Sequence, residues 1–226
     1  MNLFGRLGIG TANWGQQYNG ARVSDDDQKR ILAYAQCAGI DLIDTATAYL
    51  WSGWRDVSSC FRIVLKVQKK QWPVYGLMEY GDRVTLMAHC ADEYKWFVER
   101  VEGCRGASLY KPGQEEDVFG GHIVQVPYSL YDRRFEVNME RNHEVHEIHV
   151  RSIYLRGKIL EKATPQECLK FVLCNPFVDR VIIGADSFDQ FRANVEFIHT
   201  WNAMEKQDER LLDPRQWTEK EMPDER

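Results

Sequence analysis

Eight short apolar runs recur along this chain of 226 residues, with helix-patterned segments between them. They occupy residues 7–10, 42–44, 63–67, 85–88, 106–109, 123–126, 147–152 and 181–184. Short apolar runs that do not alternate with polar residues suit parallel strands covered on both faces. Parallel strands need crossover connections, and the intervening segments supply them. Ser24 with Asp27 makes a start like a capping box, and Ile31, Leu32, Ala35 and Ala38 keep helical spacing up to Gly39, a good stop. Residues 93–104, 132–141, 165–175 and 188–200 read as further helices, with Thr164 a cap before Pro165 at the first helical position. Eight strands with intervening helices predict an α/β (β/α)8 TIM barrel as one domain over residues 1–204, followed by a charged tail over residues 205–226. That tail reads as a peripheral helix or a partly disordered segment.

In such a barrel the catalytic groups come from the C-terminal ends of the strands. Four ionisable residues stand at those places: Asp44, Lys66 and His89 end apolar runs, and Tyr49 follows the second. An isolated ionisable group at the end of a buried strand is costly unless a partner or a task holds it there. A phenol with an ordinary pKa of about 10 keeps its proton at neutral pH and can act as a general acid. A nearby ammonium favours the phenolate, and a carboxylate keeps the ammonium charged and oriented. A histidine beside them can orient a carbonyl oxygen. Together they would protonate a carbonyl oxygen while hydride reaches its carbon, and since no side chain donates hydride, a nicotinamide cofactor is implied.

These residues carry a resemblance. Gly8-Ile9-Gly10-Thr11 is similar to the glycine-rich opening of the aldo-keto reductases. Residues 39–46 followed by Tyr49 resemble that family's Asp-Tyr signature, and Leu65-Lys66-Val67, His89, Ser108, Gln125, Arg151-Ser152 and residues 181–185 follow in the family's order. The resemblance runs from Leu7 to Ile198. It implies NAD(P)(H)-dependent reduction of an aldehyde or ketone, with catalytic Asp44, Tyr49, Lys66 and His89. By the same resemblance Gly10, Thr11 and Ser152 would bind the cofactor, with Ser108 and Gln125 on the nicotinamide carboxamide and Arg151 stacked on its ring. Gly184, Ala185, Asp186, Ser187, Gln190 and Asn194 would hold the adenosine phosphates, and Trp14 would line the substrate pocket. NADP(H) is the family default. Asp186 near the 2′-phosphate position leaves NAD(H) open, because a carboxylate repels phosphate and accepts from a ribose hydroxyl.

The chain departs from the family by being short. Outer helices after strands two and three are cramped, where Trp51-Ser52-Gly53-Trp54 and Gln71-Trp72-Pro73-Val74-Tyr75-Gly76 stand. Leu50 follows the tyrosine where relatives have glycine. Trp51, Trp54, Trp72, Tyr75 and Tyr80 are expected to cover the bared strands or to form a homo-oligomer interface across residues 51–80; a monomer is the alternative. Such trimming motivates a second reading, a non-catalytic barrel that binds a ligand or protein partner.

Net charge of −5, from 29 basic and 34 acidic residues, gives no electrostatic case for nucleic acid or anionic membrane. No apolar run approaches bilayer length and the first residues lack a signal-peptide pattern, so a cytoplasmic protein with reduced cysteines is expected. His143, His146 and His149 are spaced three apart, but they run from a helix end into a strand, where such spacing alternates faces. No metal site is expected there.

Overall fold

The computed structural model describes residues 3–17, 20–72 and 82–208, with side chains up to residue 201. Eight strands, β1 (Leu7–Gly10), β2 (Leu42–Ala46), β3 (Arg62–Val67), β4 (Val84–Ala88), β5 (Cys104–Ser108), β6 (Ile123–Pro127), β7 (Glu147–Arg151) and β8 (Arg180–Ile183), pair in chain order. Every pair is parallel, and β8 closes onto β1. The barrel predicted from the apolar runs is therefore observed.

Strand side chains alternate between the barrel interior and the outer layer. Leu42, Val64, Met87, Ile123 and Ile182 form an apolar cluster of their own inside the barrel. Two positions further along the same strands lie Asp44, Lys66, His89 and Gln125, so the candidate site shares the inward face. The opposite parity (Ile43, Ile63, Leu65, Leu86, Val124, Val150, Val181) packs outward against the helices in the main core.

Among the described residues lie the helices α1 (Asp25–Ala38), α2 (Trp54–Val57), α3 (Ala91–Arg100), α4 (Glu136–Asn142), α5 (Pro165–Leu173) and α6 (Phe188–Asp208). α1 begins where Ser24 Oγ accepts the Asp27 N–H at 3.1 Å and ends at Gly39, whose φ of 78° lies in the left-handed region that glycine adopts without strain. α5 has the full reciprocal capping box of Thr164 and Glu167. The crossover after β2 shrinks to the single turn α2, and β5 is followed by only a 3₁₀ turn at Gln114–Asp117. After β3 a 3₁₀ turn at Lys69–Gln71 is present. The residues from Pro73 through Gly76, with Tyr80, lie outside the described residues. Tryptophans pack around these segments: Trp54 is buried, Trp51 packs edge-on to Trp14 at 4.7 Å, and Trp72 packs edge-on to Phe97 at 5.8 Å.

Element boundaries depart from expectation in places. α3 starts at Ala91, and Cys104 opens β5. α4 starts at Glu136 because the Asp132 carboxylate is taken by the Arg134 guanidinium at 2.8 Å, and the buried Phe135 fixes the chain before the helix. β7 stops at Arg151; Ser152 follows with φ 62°. α6 continues to Asp208, so the tail begins with helix; its remainder lies outside the described residues.

Candidate active site

The C-terminal end of β2 is anchored before it carries any chemistry. Thr11, fully buried after β1, donates to Thr45 Oγ1 at 2.8 Å, and its backbone N–H donates to the Asp44 carbonyl at 3.1 Å. Thr11, expected to meet the cofactor, is therefore tied into the strand pair that fixes Asp44. Gly10 stands opposite Asp44 in the β1–β2 register. From there the Asp44 carboxylate accepts a hydrogen bond from the Lys66 ammonium, and both side chains are almost fully buried. Gln125 closes the group: its Oε1 accepts from Lys66 Nζ at 2.9 Å, and its Nε2 donates to Asp44 Oδ2 at 2.6 Å. A buried ion pair holds when its remaining lone pairs and protons are satisfied, and this amide does so from the far wall of the barrel. Burial alone would lower the Lys66 pKa, but Asp44 and Tyr49 outweigh it and hold the ammonium above its ordinary value.

Tyr49 lies on a 3₁₀ turn, Thr47–Tyr49, directly after β2. Lys66 Nζ sits 5.6 Å from the centre of its ring, and the His89 ring packs edge-on at 6.4 Å. All four residues thus gather at one end of the barrel. The ammonium faces the ring of Tyr49, while its hydrogen bonds among the described residues go to Asp44 and Gln125. The expected lowering of the phenol's pKa is reversed in sum, since burial raises it by more than Lys66 lowers it. His89 is pushed the other way, down to about 4, by burial and then by the Lys66 charge. It is neutral at physiological pH, and its buried Nδ1 has no hydrogen-bond partner.

The predicted cofactor residues divide into two groups on the rim. Ser108 and Arg151 are joined, Arg151 Nε donating to Ser108 Oγ at 3.2 Å; the same guanidinium donates to the Leu109 carbonyl at 3.0 Å and to Ser152 Oγ at 3.3 Å. It also lies 4.5 Å over the Tyr110 ring. Ser108 retains its hydroxyl proton and Gln125 one amide N–H, donors that fit the carboxamide of a nicotinamide. On the far side, a Cβ at Gly184 would meet nothing within 4 Å, and Ser187 Oγ caps α6 by accepting from Gln190 N at 3.3 Å. Gln190 Oε1 in turn accepts from the Asp186 N–H, and Asn194 is buried one turn on. That open loop and helix start fit an adenosine phosphate.

Sequence reasoning missed Asn13, whose amide donates to the Asp186 carboxylate at 2.7 Å and so joins the loops after β1 and β8. An amide in the loop after a barrel strand is a weak signal of such a role. It also missed Arg30 and Arg192, which flank the Phe188 ring at 4.1 and 5.7 Å and bring two cations to the start of α6. Trp14, expected to line the substrate pocket, is 1% exposed and packed against Trp51. The histidines stay apart. His149 faces Glu147, His146 Nδ1 lies 3.3 Å from the His122 carbonyl, and His143 Nδ1 contacts the Glu140 carbonyl.

A closed parallel barrel with a lysine–carboxylate pair buried at its C-terminal mouth, beside a tyrosine, can be compared with the family that the sequence resembles. The Aldo/keto reductase family model matches residues 6–72, the stretch that holds Asp44, Tyr49 and Lys66. Solved structures are similar in fold across most of the chain. A putative aldo-keto reductase from Pseudomonas aeruginosa is 20% identical with a TM-score of 0.65, over 86% of this chain and 90% of that one. An aldo-keto reductase from Bacillus halodurans, in its holo form, is 18% identical with a TM-score of 0.60, over 85% and 86%. The glycerol dehydrogenase of Gluconobacter oxydans is 14% identical with a TM-score of 0.54, over 86% and 91%. No curated protein matches the chain in sequence. The family match over residues 6–72 and the shared barrel both point to the aldo-keto reductase family. No helix among the described residues is long and apolar enough to cross a membrane.

Proposed function

We propose that this chain reduces an aldehyde or ketone to the alcohol, with Tyr49 as the proton donor. The observation that carries the reading is the buried Lys66–Asp44 pair set against the Tyr49 ring, with a neutral His89 at its edge. A bound nicotinamide nucleotide supplies the hydride that reaches the carbonyl carbon. The protein's own part is the proton. Burial keeps Tyr49 protonated until the alkoxide forms; the phenol then gives up its proton, and the adjacent ammonium offsets the phenolate charge. Asp44 and Gln125 keep that ammonium in place and charged. His89, being neutral and packed edge-on to Tyr49, is suited to orient the carbonyl oxygen by a hydrogen bond. Solvent restores the proton to Tyr49 after release.

Ser108 and Gln125 would hold the nicotinamide, and residues 184–187 with the start of α6 the adenosine half. Asp186 favours ribose hydroxyls, whereas Arg30 and Arg192 favour a 2′-phosphate. Tryptophan fluorescence titrations with NADPH and with NADH, followed by loss of reduced-nucleotide absorbance on adding 4-nitrobenzaldehyde, test the reading. Saturable quenching and turnover with either nucleotide are expected. Saturation without turnover would instead favour a barrel that binds without catalysing, a reading the comparisons do not favour.

A further inference from the structure

Arg151 brings a charge to the mouth that the tetrad does not account for. On β7, Ile148 and Val150 pack outward in the main core, so Glu147, His149 and Arg151 take the inward parity. Arg151 is the last of the three and stands at the C-terminal end, on the same face as Asp44, Lys66, Ser108 and Gln125. Its guanidinium is held there by Ser108 Oγ at 3.2 Å, Ser152 Oγ at 3.3 Å, the Leu109 carbonyl at 3.0 Å and the Tyr110 ring. All four partners are neutral. The carboxylate of this layer, Asp44, is taken by Lys66, and Asp132 in the loop after β6 is paired with Arg134 at 2.8 Å.

Lys66 and Asp44 cancel and His89 is neutral, so among the described residues of this layer the charge of Arg151 stands uncancelled. Its field reaches the chemistry. Behind burial and the nearer charges, it disfavours positive charge on Lys66 and His89 and favours negative charge on Tyr49. Tyr49 and the source of hydride must meet one carbonyl group, so the nicotinamide ring belongs at this mouth, with Ser108 and Gln125 offering donors to its carboxamide. An oxidised nicotinamide ring is a cation and a reduced one is neutral, while the rest of the nucleotide is the same. A second cation brought within several ångströms of a fixed guanidinium, in a partly buried site, is repelled far more than in water. An aromatic side chain in that place would attract the cation instead.

Given the carbonyl reduction proposed above, on which this rests, we propose that Arg151 is a specificity-determining residue that makes the site select the reduced nucleotide over the oxidised one. The chain is thereby set to work as a carbonyl reductase rather than as an alcohol dehydrogenase. The reduced nucleotide enters unopposed, and the oxidised product is repelled by a charge that its own ring has newly met.

The test is a tryptophan fluorescence titration of the full chain with NADPH and NADP⁺, and separately with NADH and NAD⁺, giving a Kd for each form. The ratio within one pair cancels the contacts of the adenosine half, those of Arg30, Arg192 and Asp186 included. Wild type is expected to bind the reduced form at least about tenfold more tightly. Arg151→Met is expected to cut that ratio severalfold, and Arg151→Lys, which keeps a charge, to preserve most of it. If Arg151 only held Ser108 and its loop in place, Arg151→Met would weaken both forms alike; an unmoved ratio therefore overturns the proposal. Equal affinities in wild type overturn it as well, and that measurement needs no variant to fold. Binding of none of the four nucleotides would instead overturn carbonyl reduction itself, and the role of Arg151 with it.

Discussion

The Asp44–Lys66 pair is the most heavily constrained contact in the molecule. Neither charge reaches solvent, and Gln125 spends its amide on both. Removing one member of such a pair leaves an uncompensated buried charge, which costs about 3–5 kcal/mol. Asp44→Asn is expected to lower stability by that amount in urea denaturation, and Lys66→Met added to it is expected to restore more than half. Simple additivity of the two losses would mean that the pair is not coupled. His89 acts on stability through pH. Its folded pKa of about 4 lies below its ordinary value of 6.5, so folding favours the neutral ring. The corresponding stability is fully present above pH 6.5 and is lost as pH falls through about 4; for this mostly buried ring it amounts to roughly 2–3 kcal/mol. Denaturation of wild type and His89→Gln at pH 7 and pH 4 checks this: the wild type is expected to lose more stability than the variant by about that difference. Parallel losses would place His89 in water. Gln125 illustrates what sequence could not give, since its run marks it as a polar residue needing a partner, but both partners are supplied by fold closure.

Backbone strain in the elements gathers at the catalytic rim. The four non-glycine residues with positive φ among those described are Leu50, Ser152, Leu155 and Arg156, all in loops that follow β2 or β7. Leu50, directly after Tyr49, has φ 57° and is 68% exposed, so its side chain contributes little packing against the left-handed strain. Leu50→Gly removes roughly 1–2 kcal/mol of strain, partly offset by the entropy of glycine in the unfolded chain. A net gain of up to about 1 kcal/mol is expected, read as a higher Tm, and a lower Tm would contradict it. Gly106 is the converse. At φ 155° a Cβ there would lie 2.1 Å from the Ile123 carbonyl, so Gly106→Ala is expected to cost at least about 2 kcal/mol by prising β5 from β6, and a neutral effect would contradict the packing. Strands were legible because burial on both faces leaves compact apolar runs. Helices were legible at α1 and α5, where Ser24 and Thr164 cap by side chain. The start of α3 was not, because Cys90 gives no side-chain cap, and Asp132 imitated a cap while serving Arg134.

At the scale of the whole molecule, the barrel is polar at both ends and apolar across its middle. One end carries the tetrad, whose members lie within 45 residues of sequence and could be ordered by eye. At the opposite end Asp41, Arg62, Glu147 and Arg180 look like ordinary surface charges until the strands close and pair them. Asn13 and Asp186, 173 residues apart, likewise meet only because β8 returns to β1. The closed sheet is intact although the crossover after β2 is a single turn, with Trp51 and Trp54 packed beside it. Comparing kcat for aldehyde reduction by wild type and Tyr49→Phe tests the account most directly. A loss of about 100-fold or more with nucleotide affinity unchanged is the predicted result; equal kcat values would contradict the assignment of the proton to Tyr49.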